Sequence, residues 1–221
     1  MQHDKASAKD TAFGNNENFT LDENYWNNRY DSGTAVWDLG EVSPPLKAYI
    51  DQLINKNLRI LIPGCGNTYE ADYLLKQGFT DITVIDIAPA LVAQLKQKYK
   101  DNPHIKIILG DFFRHQGQYN LILEQTFFCA LNPGLRKNYV AKMNELLTVD
   151  GKLVGVLFDK EFEQQGPPFG GYKSQYQTMF EKNFKFKTFE PCNNSFVKRA
   201  GTELFINLVK NKLINIMQLC Y

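Results

Sequence analysis

The sequence predicts an α/β domain whose mostly parallel sheet is covered by helices on both faces. Three observations carry this. From Arg59 onward, short runs with few polar residues alternate with helical patterns of roughly 8 to 15 residues, as expected for strands buried on both faces. The first two runs end in a glycine turn, Pro63-Gly64-Cys65-Gly66, and in an acidic residue, Asp86. Near the end of the chain the alternation stops, and two strand-like runs are separated only by Pro191 to Gly201, too short and polar for a crossover helix.

Taken in order, residues 1–20 are polar, carry Gly14-Asn15-Asn16, and are expected to form a mobile arm that orders over a ligand. The domain is expected over residues 21–210, with 22–57 forming a helical cap and the entry to the sheet. Within it, Asp22 to Tyr30 predicts a short helix rich in aromatic side chains, ended by Asp31-Ser32-Gly33. Pro44-Pro45 starts an amphipathic helix whose Leu46, Tyr49, Ile50 and Leu53 share a face, ending near Asn57. Strands follow at 59–62, 82–85, 105–109, 119–124 and 152–158, with helices at 70–77, 89–100 and 133–147. A further helix at 172–180 precedes strands at 185–190 and 204–210, the last of them antiparallel to the rest. Residues 211–221, NKLINIMQLCY, form an extension to which the sequence assigns no role.

Composition narrows the function. The chain has 221 residues, enough for one domain with a proper core. Its 25 basic and 24 acidic residues give a formal charge of +1, without the basic tract that nucleic acid or an anionic membrane would require. The cysteines at 65, 129, 192 and 220 form no CxxC pair and no cluster with the three histidines, so no metal site is expected. They read as thiols of a reducing compartment. With no signal-peptide core and no run near the roughly 20 apolar residues that cross a bilayer, the expected location is cytoplasmic.

The strand ends point to a ligand. A first strand ending at Pro63 delivers Gly64 and Gly66 to the edge of an open sheet, where their backbone can turn tightly against a bound group. Thr68 stands where a dinucleotide fingerprint needs glycine, and no GxxxxGK[ST] loop is present. Asp86, at the end of the second strand, suits a pair of ribose hydroxyls, with capping of the next helix as the alternative. Gly110-Asp111-Phe112-Phe113 follows the third strand; its carboxylate suits an amino group on a heterocycle and Phe112 the ring, or else Asp111 is a turn residue. The set suits a ligand made of a flat heterocycle and a ribose.

At this point the chain resembles the thiopurine methyltransferase superfamily of class I S-adenosylmethionine-dependent methyltransferases, nearest its halide, thiocyanate and thiol branch. The segments NYWNNRYDSGTAVWDLGEVSPPL, LIPGCGNTYEADYLLKQGF, VIDIAPALV, GDFF, FFCALNPGLRKNYVAKMNELLTVDGKLVGVLF and QGPPFGGY occur in the family's order, and RAGTELFINLV extends the match. The resemblance implies a Rossmann-like, seven-stranded sheet with an antiparallel last strand. It places Trp26, Trp37 and Leu46 on the cofactor wall, Gly64, Cys65 and Gly66 along the methionine end, Asp86 and Ile87 at the ribose, and Asp111 and Phe112 at the adenine. Glu124 and Phe128, which follow, border the reactive methyl. The chain departs from the family in having Ala35-Val36-Trp37 for TPW, and Glu124-Gln125 where relatives carry an aspartate after the fourth strand.

A methylsulfonium has a neutral leaving group, so the protein must mainly align a nucleophile and exclude water. Aromatic walls do both and tolerate the positive sulfur. Phe127, Phe128, Phe169 and Tyr172 are the candidates on the acceptor side, with Arg136 and Arg199 available to attract an anion or to make structural ion pairs. Glu124 and Tyr172 are candidates to move or position a proton; Glu124 would otherwise hold its loop. The expected function is direct methyl transfer from S-adenosylmethionine to a thiol, sulfide, thiopurine, thiocyanate or halide by a monomer, with a dimer as the alternative. The alternatives are an oxygen, nitrogen or metalloid acceptor, or a cofactor-binding protein without turnover.

Overall fold

In the computed structural model, residues 20–34, 37–164 and 166–211 are described. The expectations for the arm at 1–19, for Ala35-Val36 and for the extension at 212–221 fall outside them. Seven strands, β1 (Arg59–Pro63), β2 (Asp81–Asp86), β3 (Ile105–Leu109), β4 (Tyr119–Gln125), β5 (Leu147–Phe158), β6 (Phe184–Pro191) and β7 (Glu203–Lys210), form one sheet in the order β3-β2-β1-β4-β5-β7-β6. β3, β2, β1, β4 and β5 run parallel, while β7 pairs antiparallel with both β5 and β6.

Six helices pack around the sheet: α1 (Glu23–Asp31), α2 (Pro44–Asp51), α3 (Tyr69–Lys76), α4 (Pro89–Lys98), α5 (Arg136–Leu146) and α6 (Lys173–Phe180). Alternation along each strand assigns the layers. Ile60, Ile62, Ile82 and Val84 pack with Leu46, Ala71, Leu74 and Leu91 of α2, α3 and α4. Leu61, Ile85, Ile122 and Leu153 meet Tyr139, Met143, Tyr176 and Phe180 of α5 and α6. Both faces of the central strands are therefore dry, which is why β1 and β2 read as runs with few polar residues. No helix among the described residues is long and apolar enough to cross a membrane.

Three element boundaries differ by three residues or more from those read in the sequence. α2 stops at Asp51 rather than near Asn57, because the Asn55 side chain accepts the Asn57 N–H at 3.0 Å and offers the backbone a turn instead. α5 begins at Arg136, after a single tight turn over Pro133–Leu135 in which Asn132 caps Gly134 N–H at 2.9 Å. β5 starts at Leu147, which pairs with Tyr119. The ladder resumes only at Lys152 opposite Leu121, so the chain bulges through Asp150 at φ 59°. The Asp150-Gly151 turn signal hides that earlier pairing.

Candidate functional site

The strand order reverses between β1 and β4, and their carboxyl ends therefore diverge and leave a crevice. A cavity of about 750 Å³ opens there, a size suited to a small-molecule site. Its β1–β3 side is lined by Gly64, Cys65 and Gly66, by Asp86 and Ile87, and by Asp111 and Phe112. Its β4–β5–β7 side is lined by Gln125, Thr126, Phe127, Cys129, Phe158, Pro167, Pro168 and Arg199. Trp26, Tyr30 and Trp37 from the N-terminal cap complete the wall.

The glycine turn depends on its lack of side chains. Gly64 adopts φ +56°, and a Cβ there would lie 2.2 Å from Cδ2 of Phe127, so the aromatic ring rests directly on the backbone. Gly66 donates its N–H to Asp86 at 3.1 Å, and the other Asp86 oxygen accepts Ala88 N–H at 3.0 Å. Asp86 thus ties the ends of β1 and β2 together while facing the cavity, and its capping of the turn into α4 and its place on the wall coexist. Burial raises its pKa, and the amides of Ala88 and Gly66 oppose that rise. Asp111 likewise lines the cavity and caps the turn after β3 by accepting Phe113 N–H at 2.9 Å.

The cap is fixed to this turn by polar and aromatic contacts. Asp38 accepts hydrogen bonds from the Asn67 side chain, from Tyr69 O–H at 3.2 Å and from Gly40 N–H at 2.7 Å. Trp37 stands edge-on to Trp26 at 5.5 Å and to Tyr30 at 5.8 Å between ring centres. Burial, followed by the nearby Asp86 charge, holds the Tyr30 phenol far above its ordinary pKa.

The donor set fits S-adenosylmethionine. Gly66 puts backbone without a side chain on the cavity wall, and carboxylates end both β2 and the β3 connection. Thr68, only 1 % exposed, leaves its Oγ1 without a protein partner on the cavity wall, and Gln125 Oε1 on the opposite wall is equally unpartnered. Buried polar atoms in that state call for a ligand or water.

Six residues named from the sequence lie off the wall. Leu46 is wholly buried in the core beneath α2, and Phe128 is enclosed by Tyr139, Tyr176 and Phe180. Glu124, 0 % exposed, directs Oε1 to the N–H groups of Phe127 and Phe128 at 2.8 and 2.9 Å, and Oε2 accepts Tyr139 O–H. Arg136 is buried, lies over the rings of Phe128 and Tyr176, and donates to the Phe169 carbonyl at 3.0 Å. Phe169 itself is held behind the wall by that bond and by its own N–H donated to the Cys129 carbonyl at 2.7 Å. Tyr172, 47 % exposed, caps α6 on the outside.

Of the two candidate arginines, Arg199 alone reaches the wall, yet it is engaged. It pairs with Glu203 at 3.4 Å, donates to the Trp37 carbonyl at 2.8 Å and lies over the Phe158 ring. Burial raises the Cys129 thiol to about 12, with the neighbouring Glu124 charge adding to it, and raises the Cys65 thiol well above its usual value. Neither is a thiolate nucleophile near neutral pH. No group of metal-ligating side chains occurs among the described residues.

Sequence reasoning passed over Tyr30, Asp38, Thr126 and Phe158 as wall residues. Tyr30 and Asp38 sit inside the matched NYWNNRYDSGTAVWDLG segment, so a signal for them existed. Thr126 owes its place to a φ of 59°, which no residue type announces.

The family profile described as thiopurine S-methyltransferase matches residues 21–218. A probable thiol methyltransferase 2 of Arabidopsis thaliana is 29 % identical over 159 residues, covering 70 % of each chain. Thiocyanate methyltransferase 1 of Brassica oleracea is 26 % identical over 190 residues, covering 83 % of this chain and 84 % of the relative. Among solved structures, a 1,6-didemethyltoxoflavin-N1-methyltransferase of Burkholderia thailandensis, with bound S-adenosylhomocysteine, superposes with a TM-score of 0.70 at 16 % identity. That match covers 86 % of this chain and 87 % of the other, and shows the shared fold.

Proposed function

The chain belongs to the thiopurine S-methyltransferase family of S-adenosylmethionine-dependent methyltransferases, and from that premise we propose that its acceptor is a small soft nucleophile: a thiol, sulfide, thiopurine, thiocyanate or halide. One observation carries the choice. Among the described residues, the β4–β5–β7 side of the cavity has no carboxylate and no histidine on its wall. An oxygen or nitrogen acceptor that must lose a proton during transfer would find no base there, whereas halides need none and thiols ionise near pH 8.5. The names of the plant relatives point the same way.

When bound, S-adenosylmethionine supplies an electrophilic methyl group on a sulfonium whose departure leaves a neutral thioether. In this reading Asp86 accepts from the ribose hydroxyls with lone pairs left free by Gly66 and Ala88, and Asp111 and Phe112 face the adenine. The backbone of Gly64 to Gly66 and the hydroxyl of Thr68 attend the methionine end. Trp26, Tyr30, Trp37 and Phe127 form an aromatic enclosure that accommodates the positive sulfur and excludes water. Leu131, Leu135, Pro167 and Pro168 shape the space for the acceptor. Arg136 serves the site indirectly, by holding the Phe169 peptide that carries the Pro167-Pro168 wall.

On this proposal residues 21–210 form a single domain acting as a monomer. The unpaired thiols of Cys65, Cys129 and Cys192 suit the reducing cytoplasm. Transfer of labelled methyl across a panel of iodide, thiocyanate, hydrogen sulfide, an aromatic thiol, a thiopurine, a catechol and an amine tests the function. Turnover of one or more of the first five is expected, and turnover confined to the catechol or amine would overturn it.

A further inference from the structure

Glu124 is a buried carboxylate beside the reaction space, and burial pushes its pKa up to about 7, a value that would suit a general base. Its geometry withholds it from that role. The side chain has no exposed surface and is absent from the cavity wall, and both oxygens already accept hydrogen bonds. Across the ladder, Gly155 brings β5 so close that a Cβ there would lie 2.2 Å from the Glu124 carbonyl oxygen.

What the carboxylate holds is the turn that follows β4. Thr126 sits at φ 59°, a conformation that costs a non-glycine residue free energy and persists only where its surroundings enforce it. The two amide bonds to Oε1 enforce it from the carboxyl side. They also set Phe127, whose ring lies on Gly64 at one edge and stands edge-to-face with Phe112 at 5.1 Å on the other. A single side chain thus fixes a ring that touches both the glycine turn and the wall beyond β3.

We infer that Glu124 is a positioning residue, seating Phe127 between the cofactor turn and the acceptor space without taking a proton from the acceptor. Either protonation state serves, because Oε1 accepts both amides whether or not Oε2 carries a proton. Glutamine should serve as well: its amide oxygen replaces Oε1 and its NH₂ donates to the Tyr139 oxygen, reversing that bond. Aspartate should not, because it keeps the charge but withdraws the oxygens by one methylene.

The inference rests on the methyl-transfer reading above, and Glu124→Gln and Glu124→Asp in the full chain test it. Each variant is assayed with iodide, which needs no base, and with an aromatic thiol, while S-adenosylhomocysteine affinity is measured by calorimetry. For Glu124→Gln, kcat/KM within about threefold of the parent for both acceptors, with an unchanged pH–rate profile, is expected. For Glu124→Asp, a loss of about tenfold or more for both acceptors and weaker S-adenosylhomocysteine binding are expected, since an ångström of misplacement carries such a cost. Loss of thiol but not iodide turnover in Glu124→Gln would assign Glu124 as a base and overturn the inference. Equal loss with both acceptors in Glu124→Gln, or an inert Glu124→Asp, would overturn it too. If the parent turns over no acceptor, the functional reading fails by itself. Calorimetry still decides the positioning role, which then requires weakened binding in the aspartate variant and unchanged binding in the glutamine variant.

Discussion

The two sides of the cavity are built by different means. On the β1–β3 side, backbone amides and short connections do the work: Gly66 and Ala88 donate to Asp86, Phe113 to Asp111, and Gly64 leaves room for the Phe127 ring. On the β4–β5–β7 side, charged side chains reach across the chain to hold the wall from behind. Arg199 spans 162 positions to the Trp37 carbonyl, Arg136 reaches 33 to Phe169, and Glu124 folds back on its own turn. The first side presents polar groups to a ligand, whereas the second turns most of its charge inward and leaves a largely apolar face. Under the proposed function, the polar side meets the cofactor and the apolar side the acceptor.

The comparison predicts that damage on the first side, or to the Phe127 ring that rests on it, lowers cofactor affinity, while damage elsewhere on the second side changes acceptor kinetics. The largest effect is expected from Gly64→Ala, which combines a left-handed φ with a Cβ 2.2 Å from the Phe127 ring. Strain and steric conflict of this kind cost about 2 to 4 kcal/mol, so S-adenosylhomocysteine affinity should fall by about 100-fold with a lower Tm. Calorimetry and a thermal melt read both, and unchanged affinity would show that the ring can move aside freely. Next, Asp86→Ala should weaken cofactor binding by about 1.5 to 3 kcal/mol, because charge-assisted hydrogen bonds are lost. An unaltered dissociation constant in that variant would reduce Asp86 to a turn cap.

On the opposite side, Arg136→Ala should raise the acceptor KM by about tenfold with little change in S-adenosylhomocysteine affinity, as the Phe169 peptide loses its donor. A matching loss of cofactor affinity would erase the proposed division.

A further effect should appear in stability against pH. Burial raises Glu124 from 4.5 to about 7, so between those values the folded chain binds more protons than the unfolded chain, and stability from this group falls as pH rises. Tyr139, the amides of Phe127 and Phe128, and Cys129 face that carboxylate. Denaturant melts at pH 5 and pH 8 should show a smaller drop in Glu124→Gln than in the parent. Equal drops would mean that Glu124 titrates alike in both states.

Much of this was legible in the order of residues. The alternation from Arg59 gave the sheet, and the glycine turn with Asp86 marked one wall of the cavity, because consecutive strand ends in a doubly wound sheet become neighbours by topology. Tyr25, Trp26 and Tyr30 announced an aromatic cap without saying which of them would face the cavity. The acceptor side was less legible. Phe127 and Phe128 are adjacent in sequence, yet one lines the cavity and the other is core. The choice depends on a φ of 59° at Thr126 that composition does not encode.

The sequence by itself determined the family, the sheet and the carboxylates at its β2 and β3 ends, because each depends on local periodicity, on a motif contained in one connection or on the order of such motifs along the chain. Only the tertiary structure decided that Glu124 and Arg136 face inward, that Tyr172 lies outside, and that Arg199 is engaged by Glu203 and Trp37. The physical reason is that the partner satisfying a buried charge can come from anywhere in the chain. Whether that charge remains available for chemistry is settled by long-range packing rather than by its neighbours in sequence.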